Sequence, residues 1–168
     1  MLLNEKAFRI QTANLTNSSF TSNREHFFYA THTGVRESLY QLFEKDWKGE
    51  PLAAEQFHPN LVVCPINCRA VVEAMLSGAK ESIIIQTQYI FDPAILEILR
   101  RQSTKVAMHL IVANTLDNTD VVNYFGPAVA RKLQPYYNHT KMILVDKKYL
   151  LLGSMNLSDT SLDHNREI

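Results

Sequence analysis

Six polar or small residues interrupt an otherwise apolar segment, NHTKMILVDKKYLLLGSMNLS, at residues 138–158. They are His139, Lys141, Asp146, Gly153, Ser154 and Asn156. The apolar residues on both sides of Asp146 predict a β-hairpin. Because side chains two residues apart in a strand point the same way, His139 and Lys141 share one face of the first strand. Ser154 and Asn156 share a face of the second strand for the same reason.

The turn of this hairpin decides which polar side chains meet. We expect residues 146–149 to form the turn, so that Val145 faces Leu150. This register places the lysine opposite the serine and the histidine opposite the asparagine. Residues that face each other in adjacent strands have Cβ atoms about 5 Å apart. The pattern therefore predicts that the four polar groups converge on one patch.

Such a patch suits a phosphoester. An imidazole can attack phosphorus or protonate a leaving oxygen. The lysine ammonium neutralises one phosphate oxygen, and the serine hydroxyl and asparagine amide donate hydrogen bonds to the others. This chemistry needs no metal, and no cluster of carboxylates in the segment could hold one. We therefore expect a phosphate-handling site that uses neither a metal nor a cofactor.

The spacing resembles the HxK(x4)D(x6)GSxN sequence of the phospholipase D superfamily, and every defined position of that sequence is present. The resemblance implies the α/β sandwich of that superfamily and a phosphodiesterase or phosphatidyl-transferase activity. In this family one histidine attacks phosphorus to form a phosphohistidine, and a second histidine protonates the leaving alcohol. Water or an alcohol then resolves the intermediate.

The resemblance also implies roles for individual residues. His139, Lys141 and Glu167 are the implied catalytic residues, and Lys141, Ser154 and Asn156 are the implied phosphate-binding residues. Glu167 matches the acid that accepts a hydrogen bond from the far nitrogen of the histidine and fixes its tautomer. Asp146 at the turn is expected to be structural, and Gly153 is expected to let backbone or substrate approach closely.

The two ends of the chain repeat each other without a gap. Residues 4–26 align with residues 146–168 at an offset of 142 residues, which is 146 minus 4. The identical pairs are Lys6/Lys148, Asn14/Asn156, Leu15/Leu157, Ser19/Ser161, Asn23/Asn165, Arg24/Arg166 and Glu25/Glu167. Tandem duplication explains the shared Asn-Arg-Glu better than chance similarity of two polar turns. We therefore expect residues 1–50 to be the tail of a first lobe, and residues 51–168 to be a second lobe that carries the hairpin.

The first copy departs from the family sequence. By the repeat, Thr12 and Asn14 match phosphate-binding positions, and Glu25 matches the orienting acid. Asn4 stands where an aspartate is expected, and Gln11 stands where a glycine is expected. The histidine and lysine of the first copy would fall before the first residue. A second histidine would therefore have to come from a partner chain or from a longer parent protein.

The remaining segments alternate between strand and helix patterns. Strands are predicted at 6–14, 24–32, 82–90 and 106–113, a short apolar run lies at 61–64, and helices are predicted at 35–47, after Asn67, after Asp92-Pro93 and within 119–133. This alternation predicts an α/β sandwich with a mixed sheet flanked by helices. The strand at 6–14 is equivalent by repeat to the hairpin arm at 149–156, so the two should not fill the same place in one sheet. Residues 24–47 are expected to fill the place that a continuation beyond Ile168 would take, within the chain or by exchange with a neighbour.

The composition favours a soluble globular domain. The sequence is 46% hydrophobic and 20% charged, and its formal net charge is zero. Zero net charge gives no indication of a general polyanion-binding surface. No apolar run reaches the roughly 18 residues of a membrane-spanning helix, and the first residues lack the pattern of a signal peptide. Localisation is not predicted, and Cys64 and Cys68 are expected to be buried or half-buried thiols.

Other chemically interesting side chains have structural explanations. The other histidines are expected to be satisfied structural residues: His26, His32, His58, His109 and His164. Tyr40, Phe43 and Trp47 lie near helical spacing and are expected in the core. Tyr136 and Tyr137 either line a substrate groove or pack against neighbours, and the sequence favours neither.

Substrate and partners follow from the resemblance more than from the residues. A phospholipid is favoured over nucleic acid, because non-specific nuclease binding needs several basic contacts to phosphates. The duplicated layout also resembles bacterial phospholipase D-like and cardiolipin synthase-type proteins. The alternative is a catalytically incomplete lobe that binds phosphate or has a structural role. The expected partners are a phosphodiester substrate, a second copy or the missing lobe, and a peripheral membrane surface.

Overall fold

The computed structural model describes residues 2–4 and 6–168, with side chains described from Lys6 onward. The strands are β1 (Leu2–Asn4), β2 (Ala7–Gln11), β3 (Asn23–Arg24), β4 (Phe27–Ala30), β5 (Ser82–Thr87), β6 (Ala107–Val112), β7 (Ala130–Lys132), β8 (Tyr137–Asn138), β9 (Lys141–Val145) and β10 (Tyr149–Leu152). The helices are α1 (Asn17–Thr21), α2 (Thr33–Lys48), α3 (Cys68–Ser77), α4 (Pro93–Gln102) and α5 (Thr119–Phe125), with short turns of helix at Ala54–Gln56, Leu116–Asn118 and Thr160–His164.

A five-stranded mixed sheet forms the centre of the fold. Its strand order is β10-β9-β5-β6-β7. Strands β5, β6 and β7 run parallel, whereas β9 is antiparallel to β5 and β10 is antiparallel to β9. Parallel neighbours need a crossover, and α4 and α5 supply the two that this sheet requires. The predicted α/β sandwich with a mixed sheet flanked by helices is confirmed.

Local sequence explains the central strand and the helix after it. In β5, Ile83 and Ile85 share one face and are completely buried, whereas Ile84 and Gln86 on the opposite face are half-buried. Asp92 begins α4 as predicted, because its Oδ1 accepts a hydrogen bond from Ile95 N at 3.0 Å and Pro93 occupies the first turn. Asn67 precedes α3 but does not cap it, because its Oδ1 accepts from Val63 N at 2.8 Å instead.

A smaller sheet of order β1-β2-β4 lies at the start of the chain, with α2 beside it. Val35, Leu39 and Leu42 of α2 are buried with Phe8 of β2 in one apolar cluster. The aromatic residues of α2 lie on the other side, and Tyr40, Phe43 and Trp47 are 43%, 59% and 78% exposed. The prediction that these three belong to the core was wrong, because helical spacing does not say which stripe of a helix is covered.

The structure reproduces the repeat seen in the sequence. Leu2 lies opposite Phe8 in the β1–β2 hairpin, and the equivalent residues Leu144 and Leu150 lie opposite each other in the β9–β10 hairpin. Strands β2 and β10 belong to different sheets, as predicted. Within the chain, β4 pairs with β2 and not with β10, so residues 24–47 do not extend the second hairpin. Exchange with a neighbouring chain stays a prediction. The side chain of Asn4 lies outside the described side chains.

The two cysteines lie near the start of α3. Both are completely buried, and their sulfur atoms are joined in a disulfide. Burial was predicted, but the expectation of two free thiols was wrong. Within residues 2–4 and 6–168, no helix is long and apolar enough to cross a membrane.

Candidate active site

The β9–β10 hairpin is one residue out of the predicted register. Val145 lies opposite Tyr149 rather than Leu150. The turn closes with a hydrogen bond from Lys148 N to Val145 O at 3.0 Å, and Asp146 and Lys147 both have a φ of 54°. Two left-handed residues in succession are typical of a tight hairpin turn. The predicted pairing of lysine with serine was therefore wrong.

Asp146 ties this turn to the start of β5. Its carboxylate accepts hydrogen bonds from the backbone N–H groups of Lys80, Glu81 and Ser82 at 2.8–3.1 Å. These bonds, first of all the one from Ser82, hold the pKa of Asp146 below its ordinary value. The carboxylate thus fixes the end of β9 relative to β5 without reaching His139.

His139 is held by a carboxylate from the first copy of the repeat. Its Nδ1 lies 2.8 Å from Glu25 Oε1. A carboxylate only accepts, so the hydrogen of the neutral imidazole is on Nδ1 and Nε2 keeps its lone pair. Lys141 Nζ donates to that Nε2 at 3.0 Å and to His139 O at 2.8 Å. The expected partner Glu167 is not the residue at Nδ1.

Glu25 is fixed by its own neighbours. Thr12 Oγ1 donates to Glu25 Oε2 at 2.6 Å, and Asn23 Nδ2 donates to Glu25 Oε1 at 3.2 Å. Thr12 Oγ1 also accepts from His26 N at 2.9 Å, so its hydrogen-bonding capacity is largely used inside the protein. Thr12 is 2% exposed, and the structure therefore gives it a positioning place and not the predicted phosphate-binding one.

The segment that carries Glu25 is joined to the segment that carries His139. Strand β3 pairs with β8 in parallel, Asn23 with Tyr137 and Arg24 with Asn138. His139 N then donates to Arg24 O at 3.1 Å. This short ladder sets the carboxylate beside the imidazole from two parts of the chain that are 114 residues apart.

Burial sets the protonation of the two basic groups. Burial, and then the charge of Lys141, lower the pKa of His139 from its ordinary 6.5, although Glu25 acts in the opposite direction. Burial also lowers the pKa of Lys141 to about 8, against the opposing charges of Glu25 and Glu167. At neutral pH the site therefore holds a neutral imidazole beside an ammonium group.

Ser154 and Glu167 repeat the arrangement of Thr12 and Glu25. Ser154 Oγ donates to Glu167 Oε2, and Ile168 N donates to Ser154 Oγ at 3.3 Å. The Ser154 N to Ile168 O bond, 2.7 Å, matches the bond from Thr12 N to His26 O, 3.0 Å. A Cβ on Gly153 would overlap the Ile168 carbonyl oxygen, so only glycine allows this approach.

Glu167 faces a cavity and not an imidazole. The cavity has a volume of about 520 Å³ and lies between Ser154 and Glu167 on one side and the apolar residues Leu39 and Phe43 of α2 on the other. No histidine of the described part of the chain lies against this carboxylate. By the repeat, the cavity occupies the place that a first-copy histidine would take.

Arg69 holds the segment that leads to Glu167. It sits in the first turn of α3 and donates to both carboxylate oxygens of Asp163 at 2.8 Å, and to Asp92 at 2.6 Å. The hydrogen bonds between Arg69 and Asp163 thus hold the Thr160–His164 turn against α3. The hydrogen bond to Asp92 also links α3 to the start of α4. These hydrogen bonds lower the pKa of Asp163.

Asn156 meets a residue that the sequence pattern did not single out. Its Nδ2 donates to Gln88 Oε1 at 3.3 Å, and Gln88 Nε2 donates to the Tyr137 hydroxyl at 2.8 Å. Asn14, its equivalent in the first copy, is exposed, and no hydrogen bond among the described side chains links it to this cluster. His139 and Lys141 are therefore in direct contact, whereas Asn156 and Ser154 stand beside them with other partners.

Comparison with known proteins decides the family. The model of the family described as "Cardiolipin synthase, PLD-like domain" matches residues 72–168, which is more than half of the chain. The chain belongs to this PLD-like family. The match contains β5, the β9–β10 hairpin, Ser154, Asn156 and Glu167, but it does not reach Glu25.

Solved structures agree with this family. Nuc from Salmonella typhimurium, described as a phospholipase D family member, is 21% identical with a TM-score of 0.50, over 59% of this chain and 70% of Nuc. NucT from Helicobacter pylori is 20% identical with a TM-score of 0.50, over 63% of this chain and 79% of NucT. At these identities the likeness shows the fold alone.

Part of a larger protein resembles almost the whole length of the PLD-like chain. Polyphosphate kinase from Porphyromonas gingivalis aligns with 96% of this chain at a TM-score of 0.68 and 14% identity, and the chain spans 26% of that protein. The fold of the first 50 residues is thus included in the likeness. A comparison with curated proteins gives no match.

Proposed function

We propose that the PLD-like chain carries one half of a phosphodiester-cleaving centre, with His139 as one of two working imidazoles. The observation that carries the proposal is the held imidazole: Glu25 fixes Nδ1 at 2.8 Å, and Nε2 stands beside the Lys141 ammonium at 3.0 Å. A neutral imidazole with a fixed tautomer can attack, and a positive group beside it stabilises the phosphate that is attacked.

The reaction in this proposal has two steps. In the first, the Nε2 lone pair of one histidine attacks phosphorus, the bond to the leaving alcohol breaks, and the other histidine gives that alcohol a proton. In the second, water or an alcohol attacks the phosphohistidine, loses its proton to the same second histidine, and the P–N bond breaks. His139, which is neutral with its Nε2 lone pair available, takes the attacking position, and Lys141 and Asn156 bind the phosphate oxygens in both steps. The hydroxyl hydrogen of Ser154, the third predicted phosphate-binding residue, lies on Glu167.

The second imidazole has a prepared place at Glu167. Glu25 of the first copy holds the histidine of the second copy, so the repeat predicts that Glu167 holds the histidine of the first copy. Ser154 positions Glu167 as Thr12 positions Glu25. The missing histidine comes from a longer parent, in which residues 1–50 end the first lobe and 51–168 form the second, or from a partner chain.

A phospholipid is the proposed substrate class, and hydrolysis and transfer of the phosphatidyl group are both open to the same intermediate. The family description names cardiolipin synthase, and the zero net charge of the chain offers little general attraction for nucleic acid. A nucleic-acid diester is the alternative substrate. A peripheral membrane contact is part of the lipid proposal.

Diester hydrolysis measured together with molar mass tests this proposal. We expect turnover of bis(p-nitrophenyl) phosphate in any assembly that holds two histidines, and its loss in His139→Ala. An alkyl diester separates the two positions of His139, because p-nitrophenolate leaves without a proton and an alkoxide does not. If His139 were instead the proton donor, its removal would spare the first step on the aryl ester, seen as a burst of p-nitrophenolate, because only the second step would then lack its base. Equal turnover of both substrates by wild type and His139→Ala would remove His139 from the mechanism.

The second candidate is an incomplete lobe that binds phosphate without turnover. The departures at Asn4 and Gln11 and the exposure of Asn14 favour this candidate for the chain by itself. Phosphate binding that depends on Lys141, with no hydrolysis in any assembly, would select it.

A further inference from the structure

A chain of hydrogen bonds runs from the phosphate-binding asparagine to the surface. Asn156 Nδ2 donates to Gln88 Oε1 at 3.3 Å, Gln88 Nε2 donates to the Tyr137 hydroxyl at 2.8 Å, and that hydroxyl lies 3.0 Å from the Tyr89 hydroxyl. Each of these four side chains can both donate and accept a hydrogen bond. The direction of all these hydrogen bonds can therefore reverse without moving the backbone.

The backbone of Gln88 is held in place beside this series of hydrogen bonds. Its N–H donates to Thr140 O at 3.1 Å, next to His139, and its carbonyl accepts from Ala113 N at 3.2 Å and from the buried amide of Asn118 at 2.9 Å. The backbone of Gln88 is therefore bound to both neighbouring strands of the sheet. With the backbone held, the terminal amide of the side chain can turn over without moving the strands.

One polar atom in this series of hydrogen bonds has no partner. Asn156 Oδ1 is buried, and no donor among residues 6–168 reaches it. A buried acceptor without a partner disfavours the orientation that leaves it so. If both amides turn over, Gln88 Nε2 donates to Asn156 Oδ1 and the Tyr137 hydroxyl donates to Gln88 Oε1. Asn156 Nδ2 then takes the buried place of Oδ1, where no described residue offers an acceptor, so that an acceptor such as a phosphate oxygen would complete its hydrogen bonds.

We propose that Gln88 is a positioning residue that sets the orientation of the Asn156 carboxamide, and that a bound phosphoryl group selects the orientation in which Asn156 Nδ2 donates to it. This inference rests on the proposed function, because it assigns phosphate binding to Asn156. Tyr137 and Tyr89 complete the relay: their hydroxyls can turn to donate or accept. The hydrogen bond with Tyr137 raises the pKa of Tyr89 to about 12, so this hydroxyl keeps its proton at neutral pH.

Binding of inorganic phosphate, measured by calorimetry, tests the relay without requiring turnover. We expect Gln88→Leu to weaken phosphate binding by about tenfold, which corresponds to about 1.4 kcal/mol, because the Asn156 carboxamide is then no longer held. Tyr137→Phe, which removes only the far partner, should weaken it by about twofold to threefold. Gln41→Leu on the exposed face of α2 and Tyr124→Phe on α5 are the matched controls and should bind as wild type does.

A double-mutant cycle separates positioning from an independent contact. If Gln88 acts through Asn156, Gln88→Leu has no further effect on phosphate affinity in an Asn156→Ala chain. Multiplying effects in the double variant would overturn the inference. The melting temperature of each variant is measured in parallel, and Tyr137→Phe keeps the test decisive if Gln88→Leu does not fold.

The same titrations distinguish failure of this inference from failure of the proposed function. Phosphate binding that depends on Lys141 but is unchanged in Gln88→Leu and Tyr137→Phe would overturn the inference about Gln88. The proposed function would then still stand. Absence of phosphate binding by wild type would overturn both.

Discussion

At the scale of single residues, the decisive feature is that the imidazole of His139 is oriented from the other copy of the repeat. The Glu25 carboxylate accepts from Nδ1, and Thr12 and Asn23 hold that carboxylate in turn. A histidine in a strand is free to present either nitrogen, and these three residues remove that freedom. The sequence contained the acid but not the information about which acid serves which histidine.

Glu25→Gln should lower the pKa of His139 further, because the charge of Glu25 and its hydrogen bond both raise that pKa. The matched variant Glu167→Gln should leave it unchanged, since Glu167 is not in contact with the ring. The measurement is an NMR pH titration of the His139 ring nitrogens. A shift on replacing Glu167 but not Glu25 would show that the pairing is wrong. In an active assembly Glu25→Gln should also reduce the rate by about 10- to 100-fold.

Lys141 should make folding less favourable at neutral pH than at high pH. Its pKa is about 8 in the folded chain and 10.5 in the unfolded chain. Between these values the unfolded chain binds more protons, so the free energy of unfolding contributed by this group rises with pH across that window. Lys141→Met removes the contribution, and exposed Lys147→Met is the control. Denaturant unfolding of all three chains at pH 8 and 9.5 gives the change in the free energy of unfolding between the two pH values. An equal change for wild type and Lys141→Met would contradict the account.

At the scale of elements, the hairpin shows what a sequence can and cannot predict. The apolar residues on both sides of Asp146 located both strands, and the Asp92-Pro93 pair located the start of α4. The register was off by one residue, because DKKY does not say whether the turn uses three or four residues. Two residues in the left-handed region settle it in the structure, and lysine at such a position has no sequence signal.

The limits of prediction for the candidate site have a similar cause. The spacing of His139, Lys141, Ser154 and Asn156 predicted the family, which the comparison with known proteins confirms. It did not identify Gln88, whose place beside Asn156 depends on the order of strands in the sheet. For the same reason the exposed stripe of α2 was taken for core. Patterns along the chain locate elements, whereas contacts between distant elements require the packing.

Asp146→Ala should lower the melting temperature, because three backbone N–H groups at the start of β5 lose their acceptor. The folded pKa of Asp146 is depressed below 3.8, so its contribution is present above that pH and is lost as the pH falls through the lowered pKa. Asp117→Ala, at an exposed aspartate, is the control. Thermal unfolding at pH 7 measures the effect, and equal melting temperatures for the two variants would be the contrary result.

At the scale of the whole molecule, the glutamate of the first copy of the repeat orients the histidine of the second copy. Each copy contains the same hydrogen-bonded unit. The hydroxyl of Thr12 or Ser154 donates to a glutamate and accepts from the backbone N–H of the residue after that glutamate. Glu25 reaches across to the second copy, and Glu167 faces a cavity. The approximate symmetry therefore predicts a complete centre with two histidines, each oriented by the glutamate of the opposite copy.

Glu167→Gln should be harmless to phosphate binding at His139 in the present chain. In an assembly that supplies the second histidine, Glu167→Gln should cost as much activity as Glu25→Gln. The measurement is kcat/KM for both variants in that assembly, beside phosphate affinity in this chain. A Glu167→Gln assembly with full activity would mean that the cavity does not hold the second imidazole.

The central claim is that phosphorus is handled at Nε2 of His139, beside Lys141. The most direct measurement is a crystal structure of the chain with orthovanadate, which can bond to an imidazole nitrogen as a phosphoryl group does. The account predicts vanadium bonded to His139 Nε2, a vanadate oxygen on Lys141 Nζ, and Nδ1 still on Glu25. Vanadate bound elsewhere, with His139 Nε2 untouched, would contradict it.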